Sequence, residues 1–166
     1  MPASKFFARQ EEYFIPAATT PDLDAAARLR TAIGRLARQL RPTAAAVAAG
    51  LTPTRSTVLL STVRRGPIRL SELAESEGIN PTMLSRVVAD LVDAGLLQRA
   101  SDEGDRRAAW VKATAAGKRL SDRIHRERTE AVNTALAALS EADRSLIEQA
   151  LPALEQLAEQ VRGHRL

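Results

Sequence analysis

The chain has 166 residues, 45% of them hydrophobic, which is enough for one compact domain and too few for two large ones. It contains no cysteine, so disulfides, thiolate metal sites, cysteine nucleophiles and thiol redox sensing are excluded together, and two histidines, His125 and His164, are too few for a dedicated transition-metal site. The formal net charge of +4 suits a polyanionic partner, and the charge is unevenly spread: Lys112, Lys118, Arg119, Arg123, Arg126 and Arg128 gather against only Asp122 and Glu127, whereas the chain beyond Arg128 is acidic on balance.

No stretch approaches the roughly 18 uninterrupted apolar residues of a membrane helix, and the N-terminus lacks the apolar core of a signal peptide. The expectation is a soluble, cytoplasmic protein without membrane partners. Residues 1–20 form an arm that holds all three phenylalanines and the only tyrosine (Phe6, Phe7, Tyr13, Phe14). These aromatics either pack on the body or a partner subunit, or belong to a free tail.

From Asp22 to about Leu40, Leu29, Ile33, Leu36 and Leu40 recur at intervals of three and four residues, the signature of an amphipathic helix that ends near Pro42. An alanine-rich connection leads to Leu51. Thr52-Pro53 then offers an N-cap and a first-turn proline for a second helix reaching Arg65, where Gly66-Pro67 stops it. A third helix covers about Leu70 to Glu77 and ends at Gly78. A fourth opens at Asn80-Pro81 and runs to about Ala94, with Gly95 closing it. Leu96 to Ser101 and Ala108 to Thr114 read as two strands around a polar tip, residues 102–107. Thr114 caps a fifth helix reaching about Leu139. Ser140 and Asp143 resemble a capping box for a sixth, whose stripe includes Leu146, Ile147, Leu151, Leu154 and Leu157 and which Pro152 is expected to bend.

The order helix, turn, helix, strand, tip, strand is a winged-helix topology. Ala74 supplies the small side chain where two helices cross and Gly78 the turn. Ile79, Leu84, Val87 and Leu91 point one way and clamp the fourth helix to the core. Thr82, Ser85, Arg86 and Ala89 are left facing outward. A helix entering a major groove needs short polar groups near its N-terminus, a long donor, and free backbone amides. Asn80, Pro81, Thr82, Met83, Ser85 and Arg86 are the candidates for that surface, with Arg86 the base or phosphate donor. Arg106 and Arg107 on the tip suit a narrow minor groove, and Asp105 suits an acceptor that orients a guanidinium. Thr54, Arg55 and Arg69 are candidates for contacts to the DNA backbone.

The run from Leu51 to Gly117 resembles the MarR family in its winged core, its Asp-x-Arg tip (Asp105, Arg107) and its Thr-x-x-Gly opening of the next helix (Thr114 to Gly117). Ala113 stands where that family usually has leucine, and the aromatic arm is not a family signature. The resemblance implies a mainly α fold with a small β-hairpin wing, a winged helix-turn-helix core at 51–114 flanked by dimerisation helices at 21–50 and 115–166. It implies a homodimeric transcriptional regulator, a repressor or alternatively an activator, that binds an inverted repeat in double-stranded DNA and releases it on binding a small-molecule effector in a crevice between the dimerisation helices and the winged lobe.

Alternative readings stand beside these. Arg86 and Arg107 also suit solvated or paired surface arginines, and Arg106 suits a partner for Asp102 or Asp105. His125 reads as a surface or interface histidine, Trp110 as a cover for the wing root or a wall of a ligand crevice, and the basic run 112–128 as a solvated helix face. A winged helix that meets protein rather than DNA is the second functional reading, and a regulator without ligand response the third. The acidic residues show no inward pair, no glycine-rich loop cradles phosphate, and the serines lack a histidine partner, so neither an enzyme nor a cofactor is expected.

Overall fold

The computed structural model describes residues 23–101 and 109–163, with side chains described for 23–100 and 110–161. The aromatic arm and the wing tip with Asp105, Arg106 and Arg107 lie outside the described residues. The chain divides into two compact units, residues 1–37 and 38–166.

The first unit is represented by helix α1 (Leu23–Gln39), which continues two residues past the division. No residue of α1 is buried in the single chain, and Leu36 is 61% exposed although it lies on the apolar stripe.

The second unit contains α2 (Ala44–Ala48), α3 (Pro53–Arg65), β1 (Ile68–Arg69), α4 (Leu70–Glu77), α5 (Pro81–Asp93), β2 (Leu97–Ser101), β3 (Ala109–Ala113), α6 (Ala115–Ala137) and α7 (Glu141–Gly163). Two elements correct the sequence reading. The alanine-rich connection contains a five-residue helix, because Thr43 Oγ1 accepts from Ala46 N–H at 3.2 Å and the Glu127 carboxylate accepts from Ala45 N–H at 3.1 Å. The wing is also more than a hairpin: β1 pairs with β3, giving the antiparallel order β1-β3-β2 with Ile68 opposite Val111 and Leu97 opposite Ala113. A two-residue strand carries no readable periodicity of its own; its pairing with β3 defines it.

Elsewhere the local signals act as expected. Thr52, Asn80 and Thr114 each accept a backbone N–H from the first turn of the helix that follows. Gly78 closes α4 in the left-handed region (φ 63°), where its backbone N–H bonds back to the helix and the chain turns into α5. Ser140 Oγ accepts from Asp143 N–H at 3.1 Å at the start of α7, which continues as one helix past Pro152.

The core of this unit joins Val58 and Leu59 of α3, Ile68 of β1, Leu73 and Ala74 of α4, Leu84, Val88 and Leu91 of α5, Leu97 and Val111 of the sheet, and Leu120 and Ile124 of α6. Fully burying one such aliphatic side chain contributes about 1.5–3 kcal/mol. The same packing holds α5 between the sheet and α3. The α7 stripe, by contrast, is exposed, Leu146 at 64%. Among the described residues, no helix is long and apolar enough to cross a membrane.

At the base of the sheet, Thr114 N–H donates to the Leu96 carbonyl at 3.1 Å and Thr114 Oγ1 donates to the Gly95 carbonyl at 2.7 Å. Gly117 N–H returns a bond to Thr114 Oγ1 at 3.0 Å. A methyl group on Gly117 would collide with the Leu96 carbonyl oxygen and press on Leu59 Cδ1 at 3.2 Å. The glycine is therefore required by close approach. Gly117→Ala is expected to destabilise the fold by about 2 kcal/mol or more, read as a lowered urea midpoint, whereas Ala116→Gly changes it by no more than about 1 kcal/mol.

Candidate nucleic-acid interface

Helix α5 presents two unlike faces. Leu84, Val87, Val88 and Leu91 are buried, and Pro81, Thr82, Met83, Ser85 and Arg86 are exposed. Val88 is a buried contact that the sequence reading did not single out; it sits four residues after Leu84 on the same face. Asn80 Oδ1 accepts from Thr82 N–H at 2.9 Å and so orders the first turn. Pro81 has no N–H to satisfy, and its carbonyl accepts from Ser85 Oγ at 2.9 Å. That bond holds the serine hydroxyl against its own helix while leaving lone pairs available outward.

Arg86 has no hydrogen-bond or ion-pair partner among the described residues. A long cationic side chain beside two short hydroxyls at a capped helix N-terminus matches the donor pattern of a major-groove surface. The structure thus brings Asn80, Pro81, Thr82, Met83, Ser85 and Arg86 onto one exposed end of α5. Met83, half exposed, adds an apolar contact there.

The three candidates for backbone contact differ from one another. Thr54 lies in the first turn of α3, half-buried. Arg55 forms an ion pair with Asp90 of α5, so the same side chain that suits a phosphate already ties α3 to the outward side of α5. Arg69, in β1, stacks its guanidinium over the Trp110 ring at 5.3 Å from the centroid. Trp110 occupies the central strand opposite Ala100 and Arg69, which fits the reading that it covers the wing.

A second feature was not legible in the sequence. Leu60, Ser61 and Arg64 of α3, Glu77 of α4, and His125 and Arg128 of α6 line a crevice of about 320 Å³. Ser61 Oγ donates to Glu77 Oε1, and Arg64 Nη2 donates to Ser61 Oγ at 3.4 Å. The basic run read as a solvated face ends differently: Arg128 is half-buried and its Nε–H donates to the Leu40 carbonyl at 3.0 Å. Burial first, and the Arg41 guanidinium second, push the Arg128 guanidinium below its ordinary value. Periodicity offers no signal for such a bond, which joins residues 88 positions apart.

The sheet order, the packed α3-α4-α5 set and the exposed end of α5 define a winged helix-turn-helix protein. The MarR family model matches residues 51–109. An uncharacterized HTH-type transcriptional regulator of Mycobacterium bovis is 30% identical over 132 residues, covering 77% of this chain and 91% of that protein. The HTH-type transcriptional repressor OpcR of Bacillus subtilis is 28% identical over 83 residues, covering 39% of this chain and 45% of OpcR. Among solved structures, a transcriptional regulator of Thermotoga maritima superposes with a TM-score of 0.71 at 22% identity, covering 87% of this chain and all of that one (100%). MarR of E. coli in its apo form superposes with a TM-score of 0.65 at 19% identity, covering 81% and 97%. The chain belongs to the MarR family: it is a transcriptional regulator, not an enzyme.

The Arg55–Asp90 pair is 35% and 46% exposed at its two side chains, so solvent screens it. Asp90→Ala is expected to change thermal stability by less than about 1 kcal/mol and, by freeing Arg55, to strengthen rather than weaken retention of duplex DNA at low salt. Calorimetric melting and gel retardation of the same variant check both halves.

Proposed function

We propose that this regulator binds an inverted-repeat operator in double-stranded DNA as a homodimer, represses a neighbouring gene, and is released by a small-molecule effector. The observation that carries the DNA reading is Arg86, without a partner among the described residues, beside Thr82 and Ser85 on the exposed, capped end of α5. In this reading, Thr82, Ser85 and Arg86 meet base edges and nearby phosphates in the major groove, while Asn80, Pro81 and Met83 shape the approach. Arg107, oriented by Asp105, and Arg106 enter the adjacent minor groove; Thr54, Arg55 and Arg69 hold phosphates.

The dimer follows from apolar surface that a single chain leaves open. Leu29, Ile33 and Leu36 of α1 and Leu146, Ile147, Leu151, Leu154 and Leu157 of α7 are all large and exposed, and stripes of this kind need a cover. A second copy supplies the matching stripes by symmetry and sets two recognition helices about one DNA turn, roughly 34 Å, apart. Similarity to OpcR supports repression as the output. The crevice walled by α3, α4 and α6 is the place proposed for the effector, since an occupant there touches both the recognition lobe and a flanking helix. The protein is then cytoplasmic, and nucleoid-associated while on DNA.

Footprinting upstream of the protein's own gene should reveal a protected inverted repeat. Arg86→Ala and Arg107→Ala should each weaken operator binding by about 1–3 kcal/mol while the dimer persists in analytical ultracentrifugation, with Arg86→Ala relaxing sequence preference more. Affinity should fall steeply with added salt. Protection without sequence preference, or binding indifferent to salt, would overturn the DNA reading in favour of a protein-binding winged helix.

A further inference from the structure

We propose that Asp90 is a base-reading residue of α5: one oxygen of its carboxylate stays on Arg55 while the other accepts a hydrogen bond from the amino group of a cytosine in the major groove. The inference rests on the DNA reading above and adds to it an acceptor and the base that acceptor selects.

Asp90 lies four residues after Arg86, on the same side of α5 and about 6 Å along its axis. Arg86 is exposed and has no partner among the described residues, and the Asp90 side chain is 46% exposed. Helical spacing would let these two pair with each other. Instead Asp90 Oδ2 accepts from Nη2 of Arg55, in the first turn of α3, and Oδ1 takes no bond among the described residues.

A bare carboxylate at this place would repel DNA, because one helical turn from Arg86 is within the roughly 8 Å over which salt leaves charges unscreened. Arg55 cancels that charge. As a tie between helices the pair is weak, since solvent screens it, and buried Val58, Leu59, Leu84 and Val88 already seat α3 and α5 in a common core. The fold therefore does not need the pair, whereas a carboxylate that approaches phosphates does. Nε and Nη1 of Arg55 keep donors for a phosphate, so the same guanidinium can bridge Asp90 and the DNA backbone.

The acceptor-only character of the carboxylate selects the base. In the major groove guanine offers N7 and O6 and thymine offers O4, all acceptors that repel it, and adenine sets the acceptor N7 beside its amino group. Cytosine presents an amino donor alone. Arg86 is donor-only and selects the opposite pattern, that of guanine. The 6 Å or so between the two residues spans about two base-pair steps of roughly 3.4 Å, so the two selected positions lie close together in each half-site.

The test is fluorescence anisotropy of the full-length protein on its footprinted operator and on duplexes in which each base pair of a half-site is replaced in turn. Wild type should prefer cytosine by about tenfold at one position, within about two base pairs of the position that Arg86→Ala relaxes. Asp90→Asn keeps the shape, and its amide can both accept and donate; cytosine preference there should disappear and adenine become the favoured base. Arg55→Ala should lower affinity for every duplex by a similar factor while cytosine stays favoured. Asp93→Asn, which removes an exposed α5 carboxylate with no arginine partner among the described residues, should leave every preference as in the wild type. The proposal is overturned if Asp90→Asn changes the preference at no position, if the position it changes does not favour cytosine in the wild type, or if Asp93→Asn changes the same position. A wild type that prefers no sequence refutes the DNA reading and this inference with it; a defined operator whose preferences are indifferent to Asp90 refutes the inference alone.

Discussion

The outward surfaces of the winged lobe depend on the close seating of the Leu96 carbonyl against the first turn of α6. Three segments meet there: the end of α5 at Gly95, the start of β2, and the turn from β3 into α6. Thr114 bonds to two of them through its backbone and hydroxyl, and Gly117 leaves room for the carbonyl to approach. The direction of α5 and the root of the wing are thereby fixed to one helix.

Given that anchor, the division of α5 into two faces acquires a purpose. Leu84, Val88 and Leu91 are inaccessible to water, so the helix cannot rotate about its axis without exposing them. Arg86 is then held outward by the burial of its neighbours, with no bond of its own among the described residues. The cap from Asn80 and the first-turn proline keep the exposed end ordered while leaving little side-chain bulk there. The ion pair from Arg55 to Asp90 adds a screened tie between α3 and the same helix.

Helix α6 contributes twice. Its first turn receives the wing root, and its middle, through Glu127 and Arg128, holds the segment that connects α1 to α3. The crevice lies against that middle portion, with α3 and the end of α4 as its other walls. A single helix thus touches the elements that position the exposed end of α5, the walls of the crevice, and the segment of chain leading from the first helix. Apolar stripes on α1 and on α7 stand exposed in the single chain.

What the sequence determined by itself was whatever is encoded within a few turns of chain. Thr52-Pro53, Asn80-Pro81, Thr114 and Gly78 mark helix ends because capping and left-handed turns are local, and the α5 faces were readable because helical periodicity is local too. Thr114-x-x-Gly117 was readable as a pattern, but the reason for its glycine lay in a carbonyl 21 positions earlier. Only the tertiary structure decided the rest. It added β1, defined by its pairing with β3, made a helix of 44–48 with help from Glu127, and turned Arg128 from one charge in a basic run into a half-buried donor to Leu40. It also paired Arg55 with Asp90 and closed the crevice around Arg64, Glu77 and His125. In each case the interacting groups are far apart in sequence, and neither composition nor period carries information about which distant group a polar side chain will meet.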